Sequence, residues 1–261
     1  MTDTPEKEWF AEWFNHPLYL KVYSHRDETE ANTCLATILQ KTNMDSLTPE
    51  DIQVLDIACG AGRHALEFAR RGYMTTANDL SPFLLECTQT RASEENLSLA
   101  CTRQDMRHLS ADNAYDLIVQ LFSSFGYFKT RDEDLQVLRN VHHALKPDGW
   151  YVLDLINPVF LKKNLTPFSS RTIDDLTITE TRSIENDCVR KQITISSPEE
   201  TLSFEESVRL YKPETIKEML DSAGFTIMEI YGEYEGSAFD EETSPRMMLF
   251  ARKKRLESAE C

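Results

Sequence analysis

Val54-Leu55-Asp56-Ile57-Ala58-Cys59-Gly60-Ala61-Gly62-Arg63-His64 is the stretch on which the reading of this 261-residue chain turns. An apolar run ends in an acid, crosses two glycines and opens onto a helical pattern. That order predicts a buried strand, a tight loop and a helix N-terminus. Gly60 and Gly62 permit backbone angles that side chains forbid, and they let a ligand lie against the main chain. The unpaired N–H groups of the following helix face that ligand. Asp56 sits at the carboxyl end of the strand, where open α/β sheets bind their ligands. An acid there suits a cationic group such as an amine and does not suit a phosphate.

Gly60-Ala61-Gly62-Arg63-His64-Ala65 also fits the G-x-G-x-x-G/A pattern of nicotinamide and flavin sites. Asp56 counts against that reading, because it would repel a pyrophosphate. A plain strand-to-helix turn with no ligand is the third alternative.

The stretch VLDIACGAG resembles the first motif of the class I, Rossmann-like methyltransferases that depend on S-adenosylmethionine. Their usual form is an acid followed by three alternating glycines, and here Ala58 replaces the first. The resemblance implies an α/β fold: a Rossmann-like, seven-stranded, mostly parallel sheet with helices on both faces. It implies S-adenosyl-L-methionine as cofactor, held by Asp56, Ala58, Gly60, Gly62, Arg63 and His64.

Downstream, Tyr73 to Ser81 reads as a second strand ending in Asp79 and Leu80. A carboxylate there can accept two hydrogen bonds from ribose hydroxyls. Both candidate cofactors carry that ribose, so Asp79 does not separate them; a helix cap before Ser81-Pro82 is its plainer role. Leu97 to Cys101 reads as a third strand, followed by Asp105 and Met106. In the resembling family an acid here bonds the adenine amino group, and the next residue packs on the ring. Tyr115 to Gln120 is a fourth strand, whose apolar run suits a sheet buried on both faces. Leu121 follows on the ligand side. After it, Phe122, Phe125, Tyr127 and Phe128 offer an apolar pocket and a cation–π wall. The Asn/Asp-Pro-Pro-aromatic motif of methyltransferases acting on planar amino groups is missing here.

Asp132 to Leu145 is an amphipathic helix, with His142 and His143 at its end, away from the strand tips. The turn Lys146-Pro147-Asp148-Gly149 and a fifth strand, Trp150 to Ile156, complete a pattern that also resembles these methyltransferases. From about Leu176 to Tyr211 the period turns to two, with a hairpin turn at Asn186-Asp187. This predicts three strands of an antiparallel insertion after core strand five, which covers substrate, makes a homodimer or only packs on the core. A helix from Pro213 to Gly224, a strand from Phe225 to Tyr231, a mobile acidic loop from Glu233 to Pro245 and a last strand from Met247 to Ala251 follow. The last two strands are expected to pair antiparallel at the sheet edge.

Ahead of the core, Trp9, Phe10, Trp13 and Phe14 recur at helical spacing up to Pro17. They predict a helical cover or a mobile lid. Asp27 and Glu30 together form an expected helix start, with the helix running to about Gln40. The region resembles the N-terminal segment of small-molecule methyltransferases, including amino-sugar N-methyltransferases. By that resemblance Tyr23 and Arg26, with Tyr19 behind them, close over the cofactor, and Arg26 pairs with its methionine carboxylate. The alternative is a surface Arg26 paired with Asp27 or Glu30.

The expected domains are a cover over 1–45, a core over 46–157 and 212–253, the insertion over 158–211 and a tail over 254–261. Net charge is -16, which argues against unaided binding to a nucleic-acid backbone. The six cysteines form no C-x-x-C pair and no metal spacing, so reduced thiols, no metal and a cytoplasmic protein are expected. There is no signal-peptide pattern and no apolar run of membrane-spanning length.

The expected reaction is in-line methyl transfer to a nitrogen or oxygen of a small molecule. A neutral amine needs little base. A hydroxyl needs one, and Tyr127, His16 and His25 are the candidates. An NAD(P)-dependent oxidoreductase and a non-catalytic S-adenosylmethionine-binding protein are the competing classes.

Overall fold

Seven strands form the central sheet of the protein, a computed structural model that describes residues 8–24 and 28–254. They are β1 (Gln53–Ile57), β2 (Met74–Asn78), β3 (Leu99–Thr102), β4 (Tyr115–Gln120), β5 (Leu145–Ile156), and, after an insertion, β10 (Phe225–Tyr231) and β11 (Arg246–Lys253). Their order is β10-β11-β5-β4-β1-β2-β3. The pairs β1–β2, β1–β4, β2–β3 and β4–β5 are parallel. Only β11 runs against its neighbours, β5 and β10. The expected seven-stranded, Rossmann-like sheet with one antiparallel strand pair at its edge is what the chain forms.

Alternation along the strands sorts side chains onto two faces. Leu55, Ile57, Ile118, Tyr151 and Leu153 pack on one side against Val137, Leu138 and Val141 of α6 (Arg131–Ala144) and Ile216 and Leu220 of α8 (Pro213–Ser222). Val54, Leu117, Val119 and Val152 pack on the other against Leu35 and Ile38 of α3 (Glu28–Thr42) and Phe68 of α4 (Arg63–Arg70). Both faces are covered, so β1 and β4 read as nearly unbroken apolar runs. α6 starts with a reciprocal cap between Thr130 and Glu133. α5 (Pro82–Glu94) starts with Ser81 accepting from the Leu84 N–H at 3.1 Å.

The insertion holds four strands, not three. β6 (Phe168–Ile173) pairs with β7 (Leu176–Glu185), then β8 (Cys188–Ser196) and β9 (Thr201–Arg209) follow in sequence order. β6 is polar and only half-buried on its inner side, so its apolar signal is weak. A short helix, α7 (Pro158–Asn164), connects it to β5. Asn186 and Asp187 both take positive φ, 50° and 58°, as a tight hairpin turn requires. The inward residues Leu176, Ile178, Ile193 and Ile195 bury themselves against Trp13 and Val22 from the short N-terminal helices α1 (Trp9–Trp13) and α2 (Leu18–Val22). Cover and insertion therefore share one apolar cluster.

The acidic loop expected to be mobile folds against the core. Tyr234 and Ser244 are buried, and Asp240 accepts from the N–H groups of Glu242 and Thr243 at 3.0 and 2.9 Å. No helix among the described residues is long and apolar enough to cross a membrane.

Candidate functional site

A cavity of about 770 Å³ opens at the carboxyl ends of β1, β2 and β4. The N-terminal helices and the strands β8 and β9 of the insertion form its other walls. Of the residues expected at a cofactor site, Tyr19, Tyr23, Asp56, Ala58, Gly60, Arg63, His64, Asp79, Leu80, Asp105, Met106 and Leu121 all line it. Tyr127 lines it too. Arg26 and His25 lie outside the described residues. His16 is not part of the lining: its Nδ1 accepts from the Leu18 N–H at 3.3 Å and its ring tilts against Phe204.

The floor is acidic. Asp56 is 2 % exposed, and its Oδ2 has no hydrogen-bond partner among the described residues. Burial first, and the nearby charge of Asp79 second, push the Asp56 carboxyl up to about 8. Asp79 is buried as well, but both its oxygens are bonded. Oδ2 accepts from the Gly60 N–H and Oδ1 from the Ser81 N–H, each at 2.8 Å. Burial still raises its carboxyl above the ordinary range.

The loop between β1 and α4 is held on both sides. The Cys59 N–H reaches the Asn78 carbonyl at 3.0 Å, and the Thr88 hydroxyl reaches the Gly60 carbonyl at 3.2 Å. The two glycines differ in purpose. A Cβ on Gly60 would meet nothing within 4 Å, so its Cα side faces open space. A Cβ on Gly62 would lie 2.5 Å from Thr88 Cγ2. Gly62 lies outside the lining, and its missing side chain lets α4 and α5 approach. Ala58, where the resembling motif has glycine, sits at φ 54°. A methyl side chain tolerates that angle at a cost of about 1–2 kcal/mol.

Asp105 caps a 3-10 turn over Met106–His108 and binds Arg107 through both oxygens, with Arg107 Nη2 to Oδ2 at 2.6 Å. Burial raises the Asp105 carboxyl, but the hydrogen bonds from the Arg107 side chain and backbone outweigh it and hold the group below the usual range. Arg107 also meets Glu8 and Glu133 at 2.8 and 2.9 Å. Arg63 meets Glu30 at 2.7 Å and lies 4.5 Å from the centre of the Phe122 ring.

Aromatic rings form the wall over this floor. Trp9 and Tyr127 meet edge-on at 5.0 Å, Phe14 meets Tyr19 at 5.1 Å, and Tyr19 meets Tyr23 at 4.9 Å. The insertion closes the wall with polar groups. Glu206 accepts from Trp13 Nε1 at 2.7 Å and from the Tyr23 hydroxyl, and pairs with Lys191 at 2.7 Å. Lys191 also reaches the Tyr23 hydroxyl.

Lys191, Glu206 and Arg246 line the cavity and were not legible as site residues. Lys191 and Glu206 face each other across β8 and β9, and only the strand register brings them together. Arg246 bonds Asp154, 92 positions earlier. No group of three or more metal-ligating side chains occurs among the described residues.

Residues 54–149 match a family described as a methyltransferase domain. A protein of Geobacillus sp. (strain WCH70) that carries a methyltransferase name is 25% identical over 210 residues, 77% of this chain and 84% of its own length. The Streptomyces venezuelae dTDP-3-amino-3,4,6-trideoxy-alpha-D-glucopyranose N,N-dimethyltransferase is 31% identical over 109 residues, 42% of this chain and 44% of its own length. The crystal structure of an S-adenosylmethionine-dependent methyltransferase from Clostridium acetobutylicum superposes with a TM-score of 0.78 at 20% identity, over 93% of this chain and 98% of that one. Residues 54–149 thus match a methyltransferase-domain family, and the chain has the fold of the class I methyltransferases.

Proposed function

We propose that the protein transfers a methyl group from S-adenosylmethionine to a nitrogen or oxygen of a small-molecule acceptor. The observation that carries this reading is the unpartnered Oδ2 of Asp56, buried at the cavity floor of a methyltransferase domain. An acceptor atom with no donor, deep in a cavity, calls for a ligand that brings one. A cationic amine does so, and a pyrophosphate does not. That argues for an aminoacyl sulfonium and against a nicotinamide dinucleotide.

Asp56 would hold the cofactor's ammonium. Asp79 would take the ribose hydroxyls on the lone pairs that Gly60 and Ser81 leave open, and Asp105 and Met106 would border the adenine. When bound, the cofactor supplies an electrophilic methyl on its sulfonium. The chain's part is to hold the nucleophile in line and to exclude water. Trp9, Phe14, Tyr19 and Tyr127 provide the dry wall. Their rings also suit an amine acceptor, which becomes cationic on methylation. The sugar N,N-dimethyltransferase relative supports the same choice. For a hydroxyl acceptor, Tyr127 is the candidate base within the lining.

Calorimetric titration with S-adenosylmethionine, S-adenosylhomocysteine and NAD(H) tests the cofactor. Binding of the adenosyl sulfur compounds alone is expected. Binding of NAD(H) alone would overturn the reading. A cofactor-binding protein that methylates neither the amines nor the hydroxyl compounds of a broad acceptor panel would support the non-catalytic alternative.

A further inference from the structure

The last core strand begins with an arginine that the methyltransferase motifs do not account for. Arg246 opens β11 and lines the cavity. Three of its bonds fix it: Nε to Asp154 Oδ1 at 2.9 Å, Nη2 to Asp154 Oδ2 at 2.6 Å, and Nη2 to the Ser123 hydroxyl at 2.8 Å. Nη1 donates to no described residue, while the side chain as a whole keeps 19% of its surface. A guanidinium locked on one edge and open on another is preorganised for an anion, and a carboxylate matches its geometry.

The surroundings say which end of the cavity this is. Asp154 is fully buried and also accepts from the Phe122 N–H at 2.8 Å and the Tyr234 hydroxyl at 2.9 Å. Phe122 and Ser123 both take φ of 61°, an angle uncommon for side-chain-bearing residues. Two such residues in a row persist only when their neighbours over-determine them. Asp154 and Arg246 do that. Phe122 lies just beyond β4, whose Val119 pairs with Asp56 of β1. Arg246 Cζ is 5.7 Å from the Phe122 ring centre, and the Arg63 guanidinium is at 4.5 Å. The cationic groups therefore stand beside the strand tip that carries the unpartnered Asp56 oxygen. Arg103, another cation of the lining, bonds the Leu80 carbonyl beside Asp79, at the ribose end.

We propose that Arg246 is a binding residue of the cofactor site, offering Nη1 to the carboxylate of the cofactor's amino-acid tail, with Asp154 and Tyr234 as the positioning residues behind it. This rests on the cofactor reading above. An amino-acid tail is a zwitterion, and the cavity then meets it with an acid and a base from opposite ends of the chain: Asp56 from the first core strand and Arg246 from the last.

The test compares two ligands that differ only in that carboxylate: S-adenosylhomocysteine and 5′-deoxy-5′-(3-aminopropylthio)adenosine, which keeps the ammonium. Their dissociation constants are measured by calorimetry on the wild type, on the R246Q/D154N double variant and on R246K. The double variant replaces a buried ion pair by a neutral amide pair, so neither group is left charged and alone. The wild type is expected to prefer S-adenosylhomocysteine by about tenfold or more, the worth of a charge-assisted hydrogen bond. In the double variant that preference should fall to near unity, while the amine analogue binds as before. A purely structural role would weaken both ligands together and leave the preference intact, which overturns the proposal. If the double variant does not fold, R246K carries the test, and an unreduced preference there overturns it. Equal binding of both ligands to the wild type overturns the Arg246 assignment alone. Binding of neither overturns the cofactor reading and this subsite with it.

Discussion

The backbone N–H of Gly60 donates to Asp79 Oδ2 at 2.8 Å, so the tip of the loop after the first strand hangs on the acid that ends the second. A residue expected to meet a ribose is thus also a structural tie between neighbouring strand ends. The Ser81 N–H on the other oxygen makes the same carboxylate a brace for the start of α5.

Asp79→Ala should therefore do two things at once. Removing the carboxylate leaves two backbone donors without their acceptor and should lower stability by about 1–3 kcal/mol in chemical denaturation. It should also weaken S-adenosylmethionine by about tenfold or more, through lost ribose contacts and a loosened loop. Unchanged affinity in calorimetry would remove Asp79 from the site.

If Asp56 holds the cofactor's ammonium as proposed, it should link cofactor binding to pH. Its carboxyl is raised to about 8, above the ordinary value of 3.8. A raised acid binds a proton more tightly when folded. Its contribution to stability is therefore complete below about pH 4 and is lost as pH rises through about 8. An ammonium placed against it favours the charged form, so cofactor binding at pH 7 should release a proton. Calorimetry in two buffers of different ionisation enthalpy reads that release directly. Asp56→Asn should abolish the release and flatten the melting temperature between pH 6 and pH 8, above the Asp134 step. A release that persists in the variant would assign the proton elsewhere.

Asp134 adds a second, lower step. It is fully buried, accepts from the Tyr211 hydroxyl at 2.6 Å, and is raised to about 6, by burial above all. By the same sign, its contribution is lost as pH rises from about 4 through 6. Asp134→Asn should remove that lower step and leave proton release on cofactor binding unchanged. Loss of the release in this variant would contradict the assignment to Asp56.

Gly62→Ala should destabilise by about 2–4 kcal/mol, because the new Cβ meets both overpacking and a left-handed backbone angle. The clash lies with Thr88 Cγ2 at 2.5 Å and Oγ1 at 2.7 Å, and φ is 78°. Thr88→Ala removes the first problem and leaves the second. The double variant should accordingly be more stable than the sum of the two single losses predicts, as a double-mutant cycle would read. Strict additivity would show that the two residues do not press on each other.

Lys191→Met should loosen the cover from the insertion. It leaves Glu206, 16% exposed, with Trp13 and Tyr23 as its donors and no cation. A loss of about 1–3 kcal/mol is expected, with a change in tryptophan fluorescence as Trp13 shifts. Wild-type fluorescence and stability would mean that the apolar contacts of Trp13 and Val22 hold the cover without the ion pair.

Some of the site was legible because it is local. The strand, the loop and the helix after Val54 are contiguous in sequence, and each strand end of an open α/β sheet points at the same crevice. Asp56, Asp79, Asp105 and Leu121 could thus be placed at the cavity before any tertiary contact was known, and all four line it. The angle of Gly62 is visible from the motif, but its close neighbour, Thr88, is not. β6 escaped notice because its residues are polar and half-buried, which leaves little alternation to read.

By itself the sequence determined the order of strands and helices, the place of the glycine loop and the acids after the strands, since these follow from local periodicity and short-range turns, and the resemblance of its motifs implied the seven-stranded α/β architecture. Only the tertiary structure decided that Lys191 faces Glu206, that Arg246 returns from the last strand to lock on Asp154, and that the insertion and the N-terminal helices share one apolar cluster. Those relations depend on which strands pair and in what register. Register is a long-range outcome in which a shift of one residue turns every side chain to the opposite face.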